Sequence, residues 1–363
     1  MEYRKLGHTG TVVSRLALGT MYFGQETPED EAFAIIDAFV EAGGNLIDTS
    51  NVYVGGLSQK IVGRWFARRS TDITDRVVMA SKGRFATQTE PNGPGLSRRS
   101  LSRSLNTSLR DLGRDTIDLY QLHAWDPLTP VEETLAFLDD AVHAGKINYI
   151  GLSNFTGWQT QLAVSTAHQM GVTVPATLQV QYSLLSRESE YEMVPAALHN
   201  GLSLLPWSPL AGGLLTGKYT RGQTPGSGTR AGSDNPLYQW ATDRYMATER
   251  SWATIDAVTH LANDIGATPG QVALSWAADQ PGVVAPIVGA RNVAQITDSL
   301  GAAHLHLDHP ATTALNKISR PQPATYPYGE FGTNQRAREV DGSDDLADLV
   351  AGGSNTPLGA AHT

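Results

Sequence analysis

Asn45-Leu46-Ile47-Asp48-Thr49-Ser50-Asn51-Val52-Tyr53 reads as a short apolar strand that ends on a carboxylate and runs into a polar loop carrying a tyrosine. Just upstream, Gly43-Gly44 closes a helix in which Phe33, Ile36 and Val40 share one face. Strand candidates recur before and after it, near Leu16–Gly19, Val77–Ser81, Ile117–Leu122, Ile147–Leu152, Thr177–Val180, Ser203–Pro206 and Val283–Ile287. Most are separated by a stretch of helical periodicity. About eight β-then-α units predict a closed parallel barrel or a doubly wound sheet. Residues 2–6 and 11–15, joined by His8-Thr9-Gly10, predict a hairpin ahead of this repeat.

Thr27-Pro28-Glu29-Asp30, Thr129-Pro130-Val131-Glu132 and Thr268-Pro269-Gly270-Gln271 share one grammar of helix initiation. In each, the threonine hydroxyl is expected to cap and the proline to take the first helical position. Leu101, Leu105, Leu109 and Leu112 form the core stripe of a helix from residue 98 that ends near Gly113. Two segments break the rhythm. Residues 209–240 are rich in Gly, Pro, Ser and Thr, as a functional lid or a disordered loop would be. The tail from Gly332, with Asp341, Asp344 and Asp345, is polar and predicts a flexible or peripheral segment. The expected division is a barrel over 1–331 and a tail over 332–363.

With 40% hydrophobic and 17% charged residues, a chain of 363 residues has the material for a large core. A net charge of −9 tells against a sequence-independent nucleic-acid binder. The chain has no cysteine, so disulfides, thiolate metal sites and a cysteine nucleophile are excluded. The start, Met1 to Gly7, lacks the apolar stretch of a signal peptide. No uncharged run reaches the ~18 residues of a membrane span. The expectation is a cytoplasmic protein without membrane or nucleic-acid partners.

The chemistry gathers where strands end. Asp48 closes the second barrel strand and Tyr53 stands in the loop after it; Lys82 follows the third strand and His123 the fourth. Singly, each has an ordinary reading as cap, packed aromatic, solvated charge or core histidine. In a parallel barrel, however, all four would meet on the C-terminal rim, where barrel active sites lie. An ammonium beside a phenol stabilises the phenolate, so Lys82 is expected to lower the pKa of Tyr53 while Asp48 keeps Lys82 charged. Tyr53 would then serve as general acid in carbonyl reduction and general base in alcohol oxidation.

Asn45 to Tyr53 resembles the aldo-keto reductase signature N-x-x-D-T-[AS]-x-x-Y. Ser108-Leu109-Arg110-Asp111-Leu112-Gly113 through Ile117 to His123 is similar to the second signature. Gly151-Leu152-Ser153-Asn154-Phe155 is similar to a third stretch of the same superfamily. Trp207-Ser208-Pro209-Leu210-Ala211-Gly212-Gly213-Leu214-Leu215-Thr216-Gly217-Lys218 resembles a branch holding potassium-channel β subunits and bacterial sugar, aldehyde and aryl-alcohol reductases. The resemblance, over roughly residues 2–330, implies a (β/α)8 barrel with the lid loop after its seventh strand. It implies an NADP(H)-dependent oxidoreductase acting on a small carbonyl or alcohol, with Asp48, Tyr53, Lys82 and His123 as the catalytic set.

Within that resemblance Ser153, Asn154 and Gln179 would hold the nicotinamide carboxamide and Trp207 would stack on the ring. Gly19, Thr20, Met21 and Asp48 would line the cofactor near the first strands. Ser208, Pro209, Leu210, Gly212 and Lys218 would follow the pyrophosphate, and Arg230, Gly289, Arg291, Gln295 and Ser299 the adenosine end. Arg291 suits a 2′-phosphate, because a planar guanidinium binds phosphate bidentately. Three positions depart from the branch pattern: Gln59 stands where Glu is common, Val54 where Gly is common, and Ser299 where Asn is common. Tyr22, Phe85 and Trp125, with Tyr53 and His123, would line the substrate pocket.

Three other readings have weaker support. A Schiff-base lyase through Lys82 is disfavoured by Asp48, which would keep the amine charged. A cofactor-binding sensor with little turnover would not need the intact catalytic set. A metal hydrolase would rest on His304, His306 and His309, which fall after the last strand, and no metal is expected.

Overall fold

The computed structural model describes residues 1–87, 90–234, 238, 243–323 and 325–336. Asp341, Asp344 and Asp345, part of the expected lid loop (235–237 and 239–240) and the rest of the tail lie outside them. The chain divides into two compact units, Met1–Ser319 and Arg320 onward. In the second, Gly332 falls inside a helix, Glu330–Arg336, and the Arg336 guanidinium lies 5.9 Å from the Tyr328 ring centre.

The first unit opens with an antiparallel hairpin, β1 (Tyr3–Lys5) and β2 (Val12–Ser14). Eight parallel strands follow: β3 (Ala17–Gly19), β4 (Leu46–Asp48), β5 (Val78–Gly83), β6 (Ile117–Leu122), β7 (Ile147–Ser153), β8 (Thr177–Gln179), β9 (Ser203–Leu204) and β10 (Ile287–Gly289). They pair in chain order, with β10 returning to β3. The other seam is closed by a parallel bridge from Leu204 to Val283 and by the Ile287 N–H donating to the Pro206 carbonyl at 2.8 Å. The sheet is therefore a (β/α)8 barrel, and the doubly wound alternative is excluded.

Period-two alternation sorts the strand side chains. Ala17, Leu46, Ala80, Leu119, Leu205 and Ile287 pack inside the barrel, where Leu6 and Val13 of the hairpin region join them. Ile47, Met79, Tyr120, Leu152 and Leu178 face outward into the shell of helices. Two residues further along the same inward rows come Asp48, Lys82 and Gln121. An apolar plug thus gives way to a polar floor at the C-terminal end.

The helix starts depart from their expectation. Only Thr268 makes the expected cap, accepting from the Gln271 N–H at 3.2 Å while Gln271 Oε1 accepts from the Thr268 N–H at 3.2 Å. In the helices α1 (Glu29–Glu41) and α5 (Val131–His143), the proline itself is the cap residue. Thr129 instead donates to Asp126 Oδ2 at 2.7 Å, and Thr27 faces the Arg291 carbonyl at 3.5 Å. A hydroxyl one residue too early finds a loop partner instead. The leucine helix α4 (Arg98–Leu112) closes on Gly113 at φ 62°, as its sequence predicts.

Candidate active site

Asp48 ends β4, so it stands at the inner rim. Lys82 lies within β5 rather than after it, because that strand continues to Gly83. Its inward register follows from Val78 and Ala80. Lys82 is fully buried, and its three ammonium protons meet three acceptors. These are Asp48 Oδ1, the Thr49 carbonyl at 3.0 Å and Tyr53 Oη at 2.9 Å. A buried ion pair of this kind is costly to desolvate and is retained where every lone pair and proton is satisfied. Because Lys82 donates to the Tyr53 oxygen, the phenolic proton is left pointing elsewhere.

Burial pushes the Tyr53 phenol above its ordinary value, outweighing the pull of the Lys82 ammonium. The expected depression of that pKa is thus not the net result: Lys82 moderates a rise. Burial works against the charge on Lys82 too, but Asp48 and Tyr53 together hold its pKa above the usual lysine value. His123 is pushed down to about 2 by burial, with Lys82 and Arg84 adding repulsion. The imidazole is therefore neutral. Its Nδ1 lies 3.3 Å from Ser50 Oγ, and its ring meets Phe85 edge-on at 4.8 Å and Tyr53 at 5.9 Å.

Around this cluster the structure assembles several of the other sequence candidates. Gln179 Nε2 donates to Asp48 Oδ2 at 2.9 Å. Asn154, at φ 55°, donates to the His123 carbonyl at 2.9 Å and accepts from Trp207 Nε1 at 3.0 Å, with Ser153 Oγ at 3.2 Å. Trp207 is thereby held by its edge. The Thr20 hydroxyl is already committed, to the Asp48 carbonyl at 3.1 Å and to Ser58. Met21 is half-buried beside it. Trp125 packs on Phe155 and on the exposed Trp158.

Beyond Trp207 the backbone turns through left-handed residues, Ser208, Ala211, Gly212 and Gly213. Ser208 Oγ accepts from the Gly212 N–H at 3.3 Å. Pro209 is buried and Leu210 half-buried in the same turn. Lys218 lies against the bare Cα of Gly213, where a Cβ would come within 2.9 Å of Nζ. Gly289 pairs with Gly19 across β10 and β3. The Arg291 N–H donates to Gln295 Oε1 at 3.0 Å, and Ser299 is buried on the helix Val293–Leu300 that follows. Among the described residues neither Lys218 nor Arg291 has a carboxylate partner.

Arg230 stacks on aromatic rings in the loop after β9. It lies 4.1 Å from the Tyr22 ring centre and 5.5 Å from that of Tyr238, with Glu26 Oε2 at 4.0 Å. Tyr238 donates to Glu26, and Arg291 Nη1 reaches the Gly228 carbonyl at 3.2 Å. The loop after β9 is therefore tied to the ends of β3 and β10, across the barrel mouth.

Residues 15–320 match the model of the Aldo/keto reductase family. The chain belongs to the aldo/keto reductase family. It is 38% identical over 327 residues to "Uncharacterized oxidoreductase YrpG" of Bacillus subtilis (strain 168), covering 88% of this chain and 96% of that protein. It is 33% identical to "Probable voltage-gated potassium channel subunit beta" of Oryza sativa subsp. japonica, covering 83% and 91%. It is 32% identical to "Versiconal hemiacetal acetate reductase" of Aspergillus parasiticus, covering 85% and 94%. The matched span of this aldo/keto reductase holds Asp48, Tyr53, Lys82 and His123.

Sequence reasoning missed Gln121. It is fully buried and donates to Asp48 Oδ2 at 2.9 Å. The period-two row Leu119, Gln121 would have pointed it inward beside Lys82. An amide carries no charge, so nothing in the strand pattern sets Gln121 apart. The Glu26–Tyr238 contact joins residues 212 apart in sequence and has no local signal.

Proposed function

We propose that this aldo/keto reductase is an NADP(H)-dependent carbonyl reductase and alcohol dehydrogenase, with Tyr53 as its proton donor and acceptor. The observation that carries the reading is the fully satisfied Lys82, which donates to Tyr53 Oη and leaves the phenolic proton free for a substrate oxygen. A phenol that burial keeps neutral is loaded for reduction. It gives its proton to the carbonyl oxygen, and the ammonium 2.9 Å away stabilises the phenolate left behind. In alcohol oxidation the same proton returns to Tyr53. His123, kept neutral by burial beside Phe85 and Tyr53, orients the substrate oxygen rather than donating charge.

The residues present fit the nucleotide. The left-handed Gly212 leaves open space where a Cβ would stand, its own N–H and that of Gly213 being bonded to Ser208 Oγ and the Leu210 carbonyl, and Lys218 and Arg291 add cations that have no carboxylate partner among the described residues. NADPH, when bound, supplies the hydride. Ser153, Asn154 and Gln179 would hold its carboxamide, Trp207 its ring, and Arg291 its 2′-phosphate. Tyr22, Phe85 and Trp125 would contact the substrate, a small aldehyde, ketone or sugar.

The test is turnover of NADPH and NADH against a carbonyl panel, with Tyr53→Phe alongside. The expected loss for Tyr53→Phe is ~10²–10⁴ in kcat with NADPH binding kept; full activity in that variant sinks the mechanism. Arg291→Ala is expected to erase most of the preference for NADPH over NADH. A preference that survives it would move the 2′-phosphate elsewhere. Binding without turnover on any substrate would favour a regulatory role of the kind one relative's name carries.

A further inference from the structure

Gln121 has no assigned task, yet it sits at the centre of the polar floor. Its Nε2 donates to Asp48 Oδ2 at 2.9 Å and its Oε1 accepts from Gln179 Nε2 at 3.0 Å, while Gln179 Nε2 also reaches Asp48 Oδ2 at 2.9 Å. Asp48 therefore takes Lys82 on one oxygen and two amides on the other. All three partners are buried. A carboxylate only accepts, so it dictates which way each amide points. Reversing Gln121 would press its carbonyl onto Asp48 and its NH2 onto that of Gln179. With Gln121 locked, the Gln179 NH2 must face the floor, and its Oε1 is the atom left without a partner among the described residues.

We propose that Gln121 is a positioning residue, which fixes Asp48 against Lys82 and makes Gln179 present an acceptor, never a donor, to the barrel mouth. The inference rests on the active-site reading above and adds to it a residue that touches neither cofactor nor substrate. Tyr53 is faced by Lys82 from β5, Asp48 from β4, His123 from the end of β6 and Tyr22 from the end of β3. Removing one amide from Asp48 leaves its charge less compensated, and that charge opposes phenolate formation.

The test uses Gln121→Met in the full chain, a side chain of similar bulk without either hydrogen bond. NADPH affinity, read by fluorescence without substrate, should weaken about fivefold, the worth of one ordinary hydrogen bond. The alkaline limb of the pH–kcat profile should move upward. In a Gln179→Met background the same substitution should cost no further NADPH affinity, because the effect runs through Gln179. Gln121→Glu keeps the acceptor and regains the donor only when its carboxyl is protonated, so its activity relative to the parent should rise as pH falls. Unchanged affinity and pH profile in a folded Gln121→Met, or a loss that adds in full to that of Gln179→Met, overturns the proposal. A fully active Tyr53→Phe in the same assays overturns the underlying active-site reading instead.

Discussion

Val54 sits beside the proposed proton donor at φ 50° and ψ 46°, a left-handed conformation that a β-branched side chain adopts at a cost of about 1–2 kcal/mol. The sequence marked this position, because the family pattern commonly has Gly there. Val54→Gly relieves the clash but adds backbone entropy of roughly 0.5–1 kcal/mol to the unfolded chain. The expected net is a small gain, a melting temperature higher by about 1–3 °C, measured by calorimetry. A fall would mean that the contacts of the valine outweigh its strain. The ionisable members of the site were legible because Asp48, Lys82 and His123 stand at or near the ends of apolar strands. Gln121 and Gln179 differ only in that one matched a family pattern. The direction of the Tyr53 shift was not legible: it depends on how completely the phenol is buried, and no local spacing reports that.

Among the elements, the loop after β9 carries the sharpest consequence. Arg230 on Tyr22 and Tyr238 on Glu26 hold it across the mouth. Arg230→Ala should release NADPH faster, by several fold in a stopped-flow chase, while leaving the pH profile of turnover in place. An unchanged release rate would show that the loop is held by other contacts. Composition marked this segment as a long loop, functional or disordered, because Gly, Pro and Ser do not build a packed element. Its anchor points could not be read, since they join residues more than 200 positions apart, as 26 and 238 are. Helix starts were legible as places but not as hydrogen bonds. One residue of offset decided whether a threonine capped a helix, as Thr268 does, or served a loop, as Thr129 does.

The molecule as a whole is stitched at the opposite end of the barrel. His306 lies 2.7 Å from Glu2 and 2.8 Å from Asp279, which also binds Arg4 and the buried Arg15, each at 2.9 Å. The hydrogen bonds to Glu2 and then to Asp279 raise the His306 pKa. A raised folded value stabilises fully below the unfolded pKa of about 6.5 and is lost as pH rises through the folded one. Melting temperature should therefore decline from about pH 6 toward 8, and His306→Asn should flatten that decline. An identical slope in the variant would assign it to other groups. The barrel itself was foreshadowed by the count of βα units, but closure was not. Barrel and open sheet share every local pattern, and they are separated by β10 pairing with β3 and by the contacts of Leu204 and Pro206 with Val283 and Ile287.

Lys82 also has a meaning for reagents that never meet the substrate. An amine whose three protons are all engaged, and whose pKa is held high inside the barrel, has no lone pair to offer an acylating or alkylating agent. It is the lysine of this chain best shielded from covalent modification while the barrel stays shut. Its rate of labelling would then report how often the barrel mouth comes apart.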